Sequence, residues 1–190
     1  MRAISVIALA LAIAGCKKTE APPAPAATVA APAPAPLSAD APNLLTVGAP
    51  APTIETQAHN GQKVSLAELK GRPVIVYFYP KDDTPGCTVE AQEIRDSFAD
   101  LGKANAVVLG VSTQDNTSHR AFASKYGLPF MLLPDEDHAI AKAFGVPVKN
   151  GYAKRVTFVI DKQGKIAKVF PEVNPKCHSE EILDALRSLT

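Results

Sequence analysis

The 190-residue sequence lacks most of the features that announce a charged or nucleotide ligand. Its 20 basic and 19 acidic residues leave a formal net charge of +1, so no global field recruits nucleic acid or an acidic partner. There is no Walker-type loop, no glycine-rich dinucleotide fingerprint and no internal repeat, which argues against a nucleotide cofactor and against a solenoid. No apolar run is long enough to span a bilayer at about 1.5 Å per residue. Cysteine is scarce, with only Cys16, Cys87 and Cys177, and no C-x-x-C pair occurs. Function is therefore sought in a local site.

What is present begins with an export-type leader. Residues 1–16 read MRAISVIALALAIAGC, a single basic residue, an apolar run from Ala3 to Ala14 and small residues before a cysteine. The run has the length of a signal-peptide core. Ile13-Ala14-Gly15-Cys16 resembles the bacterial lipobox, which implies cleavage before an acylated Cys16 and a lipid anchor there. Lys17, not Asp, follows it, which by analogy with Gram-negative sorting points to the outer membrane.

Between Ala21 and Pro42, ten residues are Ala and seven are Pro. Such a stretch buries no core and favours extended polyproline II, a semi-rigid spacer of up to roughly 70 Å at about 3.1 Å per residue. The expected organisation is a leader over 1–15, an acylated cysteine and linker over 16–43, and one folded domain over 44–190. If Cys16 is acylated, Cys87 and Cys177 remain, either as a structural disulfide or as a redox-active pair.

Within the domain, Val74 to Tyr79, Ala106 to Ser112 and Val156 to Asp161 are short β-branched or aromatic runs that predict strands buried on both faces. Met131 to Leu133 is a shorter strand, and Ile166 to Phe170 is the return arm of a hairpin after Asp161-Lys162-Gln163-Gly164. Ile94, Phe98 and Leu101 recur at helical spacing, as do Ile182, Leu186 and Leu189, and Thr117 to Tyr126 and His138 to Phe144 read as shorter helices. The alternation predicts a three-layer α/β domain with a mixed central sheet. His59, His119 and His138 are expected to be solvated or capping. The adjacent Cys177 and His178 lack the spacing of a metal site.

Cys87 stands out by position. It follows the turn Pro85-Gly86 at the junction of a strand and a helix, where free N–H groups and the helix dipole favour a thiolate. An inert, packed cysteine is the bland alternative.

The neighbours decide between these readings. Pro80-x-x-x-Thr84-x-x-Cys87 resembles the active-site signature of the peroxiredoxins. Phe78-Tyr79-Pro80-Lys81-Asp82, Thr84-Pro85-Gly86-Cys87-Thr88 and Glu90-Ala91 resemble its bacterioferritin-comigratory, or Q-type, branch. Val108 to Ser112, Leu128-Pro129-Phe130 and Arg155 before Thr157 to Asp161 extend the likeness from about Gly48 to the C-terminus. The resemblance implies a thioredoxin-like fold and a monomer that reduces hydrogen peroxide and organic hydroperoxides without metal, flavin or other cofactor. A thioredoxin-like protein would be the reductant. It implies that Cys87 attacks the O–O bond, that Thr84 offers its hydroxyl to the peroxide, and that Pro80 shields the thiolate. Arg155 would stabilise the thiolate and the charge developing on oxygen. Taken singly, Thr84 is a cap, Pro80 a strand terminator and Arg155 a surface ion-pair partner.

The sequence departs from the branch at one place. Many Q-type members carry a resolving cysteine five residues after the first, where Gln92 stands here. Atypical two-cysteine peroxiredoxins place theirs at a point comparable to Cys177, which implies an intramolecular Cys87–Cys177 disulfide. A one-cysteine enzyme and an intersubunit disulfide stay open. Two other classes compete with the envelope peroxidase: a thiol–disulfide exchanger, and a non-enzymatic lipoprotein with a structural disulfide.

Overall fold

The computed structural model describes residues 43–189; the lipobox and the whole Ala/Pro stretch lie outside them. The chain opens with a small hairpin, β1 (Glu55–Gln57) and β2 (Lys63–Ser65), followed by β3 (Val74–Phe78). Next come α1 (Pro85–Asp96), α2 (Phe98–Lys103), β4 (Val107–Ser112), α3 (Asn116–Tyr126), β5 (Met131–Pro134) and α4 (Ala139–Phe144). A second hairpin of β6 (Val148–Lys149) and β7 (Tyr152–Ala153) leads into β8 (Val156–Ile160), β9 (Ile166–Phe170) and α5 (His178–Arg187).

The three predicted apolar runs form β3, β4 and β8 at the centre of a five-stranded sheet of order β5-β4-β3-β8-β9. Every residue of these three strands is buried, as continuous rather than alternating apolar runs require. β3, β4 and β5 run parallel through helical crossovers, whereas β8 and β9 are antiparallel and joined by the Asp161–Gly164 turn. Side chains alternate across the sheet and divide the core in two. Val74, Val76, Phe78 and Phe158 face one layer, with Ile54, Val64 and Phe144 from the first hairpin and α4. Ile75, Tyr77, Tyr79 and Val159 face the other, with Ile94, Phe122 and Ile182 from α1, α3 and α5. This is the mixed-sheet, three-layer, thioredoxin-like arrangement expected. Among the described residues no helix is long and apolar enough to cross a membrane.

Several local features differ from the sequence reading. Ile94, Phe98 and Leu101 keep helical spacing, yet the helix breaks at Ser97, whose φ/ψ of −90°/2° caps α1 and starts α2. His138 does not join α4 but caps it from a left-handed conformation at φ 60°. Hairpins β1–β2 and β6–β7 were not expected, because strands of two or three residues with exposed ends carry too little alternation to register.

His119 is a fully buried core residue rather than a solvated or capping one. Its two ring nitrogens are occupied by Asp82 and the Leu133 carbonyl, partners that come together only in the fold. His59 is half-buried and closes the edge of β5, its Nδ1 accepting from the Leu132 N–H at 3.0 Å.

Gly110 shows how tightly the helical layer packs. It pairs with Tyr77 across β3 and β4, and a Cβ there would lie 2.7 Å from Tyr77 Cζ and from Leu132 Cδ2. Gly110→Ala is expected to destabilise the fold by about 1–3 kcal/mol through overpacking, measured by denaturant unfolding. An unchanged midpoint would show that the two side chains yield freely.

Candidate active site

β3 delivers the chain to the site. The ladder continues one residue past the strand through the Tyr79 N–H and the Val111 carbonyl, 3.1 Å apart, and stops at Pro80, which has no N–H to offer. Asp83 turns the chain at φ 57°, a conformation Asp tolerates better than most residues. Thr84 is then extended at φ −91°, ψ 151° and caps α1, with Pro85 at a first-turn position where its fixed φ fits the helix.

Thr84 makes no side-chain cap. Its hydroxyl instead donates to the Lys81 carbonyl at 2.9 Å, so toward any further partner it acts as an acceptor. Without a side-chain cap, the N–H groups of the first helical turn remain available to another acceptor. Cys87 sits in that turn, only 2% exposed.

Arg155 arrives from the segment before β8, the strand beside β3. The register Phe78↔Val156 places the start of β8 beside the end of β3, so the residue before Val156 reaches the turn after Phe78. Its Nη2 donates to Cys87 Sγ at 3.2 Å, and its Nη1 donates to Glu90 Oε2. The guanidinium is planar and permanently charged, so it serves both acceptors in one geometry. Its side chain is 17% exposed, and that of Glu90 is fully buried.

Glu90 lies three residues after Cys87 on α1, one turn away on the same helix face. Burial pushes its carboxyl up from the ordinary 4.5, Arg155 pulls it back down, and the result is about 7. Among the described residues its Oε1 and the nearby Tyr77 hydroxyl have no hydrogen-bond partner. Burial also raises Tyr77 well above the ordinary tyrosine range, with the charge of Glu90 adding to the effect.

The structure thus gathers Pro80, Thr84, Cys87 and Arg155 at one strand end. Cys177 lies half-buried at the N-cap of α5. Cys87 is a free thiol, so the two are not joined here. α5 packs against α1, with Ser179 Oγ 3.5 Å from Glu93 Oε2. Next to Cys177, His178 is buried, its Nε2 2.7 Å from Thr157 Oγ1 and its Nδ1 3.1 Å from Glu181 Oε2.

Glu90 is the site residue that the sequence pattern did not single out, although it stands within the motif. A carboxylate one turn from a reactive cysteine was the available signal. Nothing local separates it from an ordinary solvated helix glutamate. Cys16, the expected acylation site, lies outside the described residues.

A thiol on a helix N-terminus of a thioredoxin-like domain, hydrogen-bonded to a half-buried arginine, defines a thiol-dependent peroxidase of the peroxiredoxin class. The chain belongs to the AhpC/TSA family, which its residues 47–169 match. It is 44% identical over 149 residues to a putative peroxiredoxin bcp of Coxiella burnetii, covering 75% of this chain and 99% of that one. Among solved structures it resembles the peroxidoxin BcpB of Mycobacterium tuberculosis, with a TM-score of 0.71 and 31% identity, over 76% of this chain and 97% of that one. It also resembles the bacterioferritin comigratory protein of Xanthomonas campestris, with a TM-score of 0.67 and 31% identity, over 71% and 90%.

Two outcomes follow from this geometry. Arg155→Met is expected to slow oxidation of Cys87 by peroxide about 100-fold or more, the scale of losing a charge-stabilising donor. Arg155→Lys should recover only part of this, because one ammonium cannot reproduce the fork; stopped-flow oxidation kinetics read both.

For Glu90, the folded-state value of about 7 exceeds the ordinary 4.5, so the fold favours the protonated form. That contribution is complete below 4.5 and is lost as pH rises through 7, about 3 kcal/mol at most. Glu90→Gln cannot titrate there. Its stability relative to wild type should rise between about pH 5 and pH 8 in denaturant titrations, and a flat difference would contradict the assignment.

Proposed function

We propose that this protein is a lipid-anchored peroxiredoxin of the bacterial envelope that reduces hydrogen peroxide and organic hydroperoxides through Cys87 and is resolved by Cys177. The observation that carries the chemistry is the Arg155 Nη2 donor 3.2 Å from the sulfur of Cys87.

The Cys87 thiolate attacks one peroxide oxygen, and the O–O bond breaks. Sulfur loses two electrons and becomes a sulfenic acid, while the departing oxygen takes one proton and leaves as water or an alcohol. Arg155 and the first-turn N–H groups are donors aimed at the oxygens, and Thr84 accepts from a proton-bearing oxygen while its own proton stays directed at the Lys81 carbonyl. Pro80 presents no N–H that would draw water to the sulfur. The Xanthomonas campestris bacterioferritin comigratory protein has alkyl peroxide reduction activity, which supports organic hydroperoxides as substrates here.

Cys177, in its reduced form, then condenses with the sulfenic acid, releasing water and forming a disulfide, which a thioredoxin-like dithiol in the envelope reduces. A sulfur 2% exposed admits no protein partner in place. A disulfide also needs its Cα atoms within about 7 Å, and bringing so enclosed a sulfur to Cys177 calls for the first turn of α1 to open during this half of the cycle. Gln92 offers no thiol on the same helix, which leaves Cys177 for the role once Cys16 is acylated. The sequence Ile13-Ala14-Gly15-Cys16 and the Ala/Pro spacer support anchoring, and Lys17 supports the outer membrane.

Purified protein with dithiothreitol should consume peroxide, and Cys87→Ser should not; equal rates would exclude the peroxidase. Peptide mapping after one equivalent of peroxide should show a Cys87–Cys177 link within a monomer. Cys177→Ser should stop at the sulfenic acid, and a map lacking the link would remove Cys177 from the cycle. Cys16→Ala should abolish incorporation of labelled fatty acid.

A further inference from the structure

We infer that α3 latches the Pro80–Thr84 turn through a buried knot of Asp82 and His119, which makes His119 a positioning residue for Cys87. Asp82 Oδ1 accepts from the Tyr79 hydroxyl at 2.7 Å. Its Oδ2 accepts from Ser118 Oγ at 2.6 Å and lies 2.8 Å from His119 Nδ1. On the far side of the ring, His119 Nε2 is 3.2 Å from the Leu133 carbonyl of β5. The backbone N–H of Asp82 is taken by Gln114 Oε1 at 3.1 Å.

The chemistry of the partners sets the protons. A carbonyl only accepts, so Nε2 carries a hydrogen. Burial alone would push the Asp82 carboxyl up, but hydrogen bonds from His119, Ser118 and Tyr79 more than reverse this and hold it below its ordinary value. The ring spans from this carboxylate to the Leu133 carbonyl and so ties the turn to the sheet.

Stability alone is a poor account of this arrangement. Apolar residues of similar volume often serve a core as well as, or better than, a buried polar pair. What the pair adds is a fixed position for the turn two residues before Thr84 and five before Cys87. The next residue reinforces the same contact from outside: Asp83 takes Lys125 Nζ at 2.7 Å and the Tyr126 hydroxyl, both on α3. Two successive carboxylates, one inward and one outward, thus fasten the start of α1 to a single helix. Releasing Asp82 frees the turn, exposes the sulfur and misplaces it for attack on peroxide.

The significance of this latch for turnover rests on the peroxidase reading, but its test does not. In the full chain carrying Cys16→Ser and Cys177→Ser, Cys87 is the single thiol, and its reaction with the bulky disulfide DTNB reports opening without any peroxide chemistry. His119→Leu should accelerate this reaction at least about tenfold, the scale of losing a hydrogen bond to a charged group, and should slow oxidation by peroxide. His119→Asn, whose amide can stand where Nδ1 does, should stay within about threefold of the parent in both rates. A merely structural role would not separate Asn from Leu in thiol access among variants that remain folded.

If His119→Leu does not fold, Ser118→Ala decides the matter. It removes one donor to Asp82 from a half-buried position and should accelerate DTNB at least about threefold. A folded His119→Leu with the parent's DTNB rate overturns the latch, as does an unchanged Ser118→Ala where that variant must decide. If DTNB accelerates in a protein that reduces no peroxide, the latch stands and the peroxidase reading fails.

Discussion

The Arg155 guanidinium, shared between the Cys87 sulfur and the Glu90 carboxylate, sets the conditions that the surrounding fold has to meet. Its two acceptors lie on α1, while the arginine comes from a segment 68 residues later than the cysteine. Only the antiparallel pairing of β8 with β3, in the register Phe78↔Val156, brings the two together. The β3 ladder must end at Pro80, the turn must reverse within four residues, and α1 must begin at Pro85. A slip of one residue in β8 would send the side chains of Val156 and Phe158 to the opposite face of the sheet.

The two core layers divide the labour. The layer containing Phe78, Phe144 and Phe158 packs its aromatic rings at centroid distances of 4.9 to 6.1 Å. It fixes the sheet on one side. The layer beneath α1, α3 and α5 carries most of the polar groups around the site, with Tyr77 and Tyr79 in it and Glu90, His119 and His178 buried on its helices. Polar groups there must find partners inside the protein, and most do so across elements rather than within them. Orientation of the site therefore comes from a network in one layer, mounted on a frame supplied by the other.

This division explains what could be read from the sequence. Strands β3, β4 and β8 were legible because burial on both faces leaves continuous apolar runs, and Cys87 was legible because a turn and a helix start flank it. Pro80, Thr84 and Arg155 were singled out through a motif, not through their own chemistry. Glu90, Asp82 and His119 were not singled out as functional, for a common reason. Each is a polar residue on or beside a helix, where the local pattern predicts a solvated side chain, and each is buried by a partner at least 37 residues away. Periodicity reports which residues are apolar; it is silent on polar residues that a distant partner makes tolerable. The break at Ser97 escaped notice for the complementary reason, since the apolar spacing continues across it.

Charge balance constrains the site further. It holds one permanent cation and two groups able to become anions, and all three are largely withdrawn from water. A single guanidinium can donate to both acceptors, but its charge balances only one. With Cys87 as a thiolate, an ionised Glu90 leaves a buried negative charge uncompensated, which low local polarity makes costly. Burial raises Glu90 to about 7 against the pull of Arg155, which lets this carboxyl, not the arginine, give up its charge. In the proposed cycle, conversion of a thiolate to a neutral sulfenic acid would remove one claimant and leave Arg155 fully available to the Glu90 carboxylate. The guanidinium would then favour Cys87 before oxidation and Glu90 after it, through contacts that already exist.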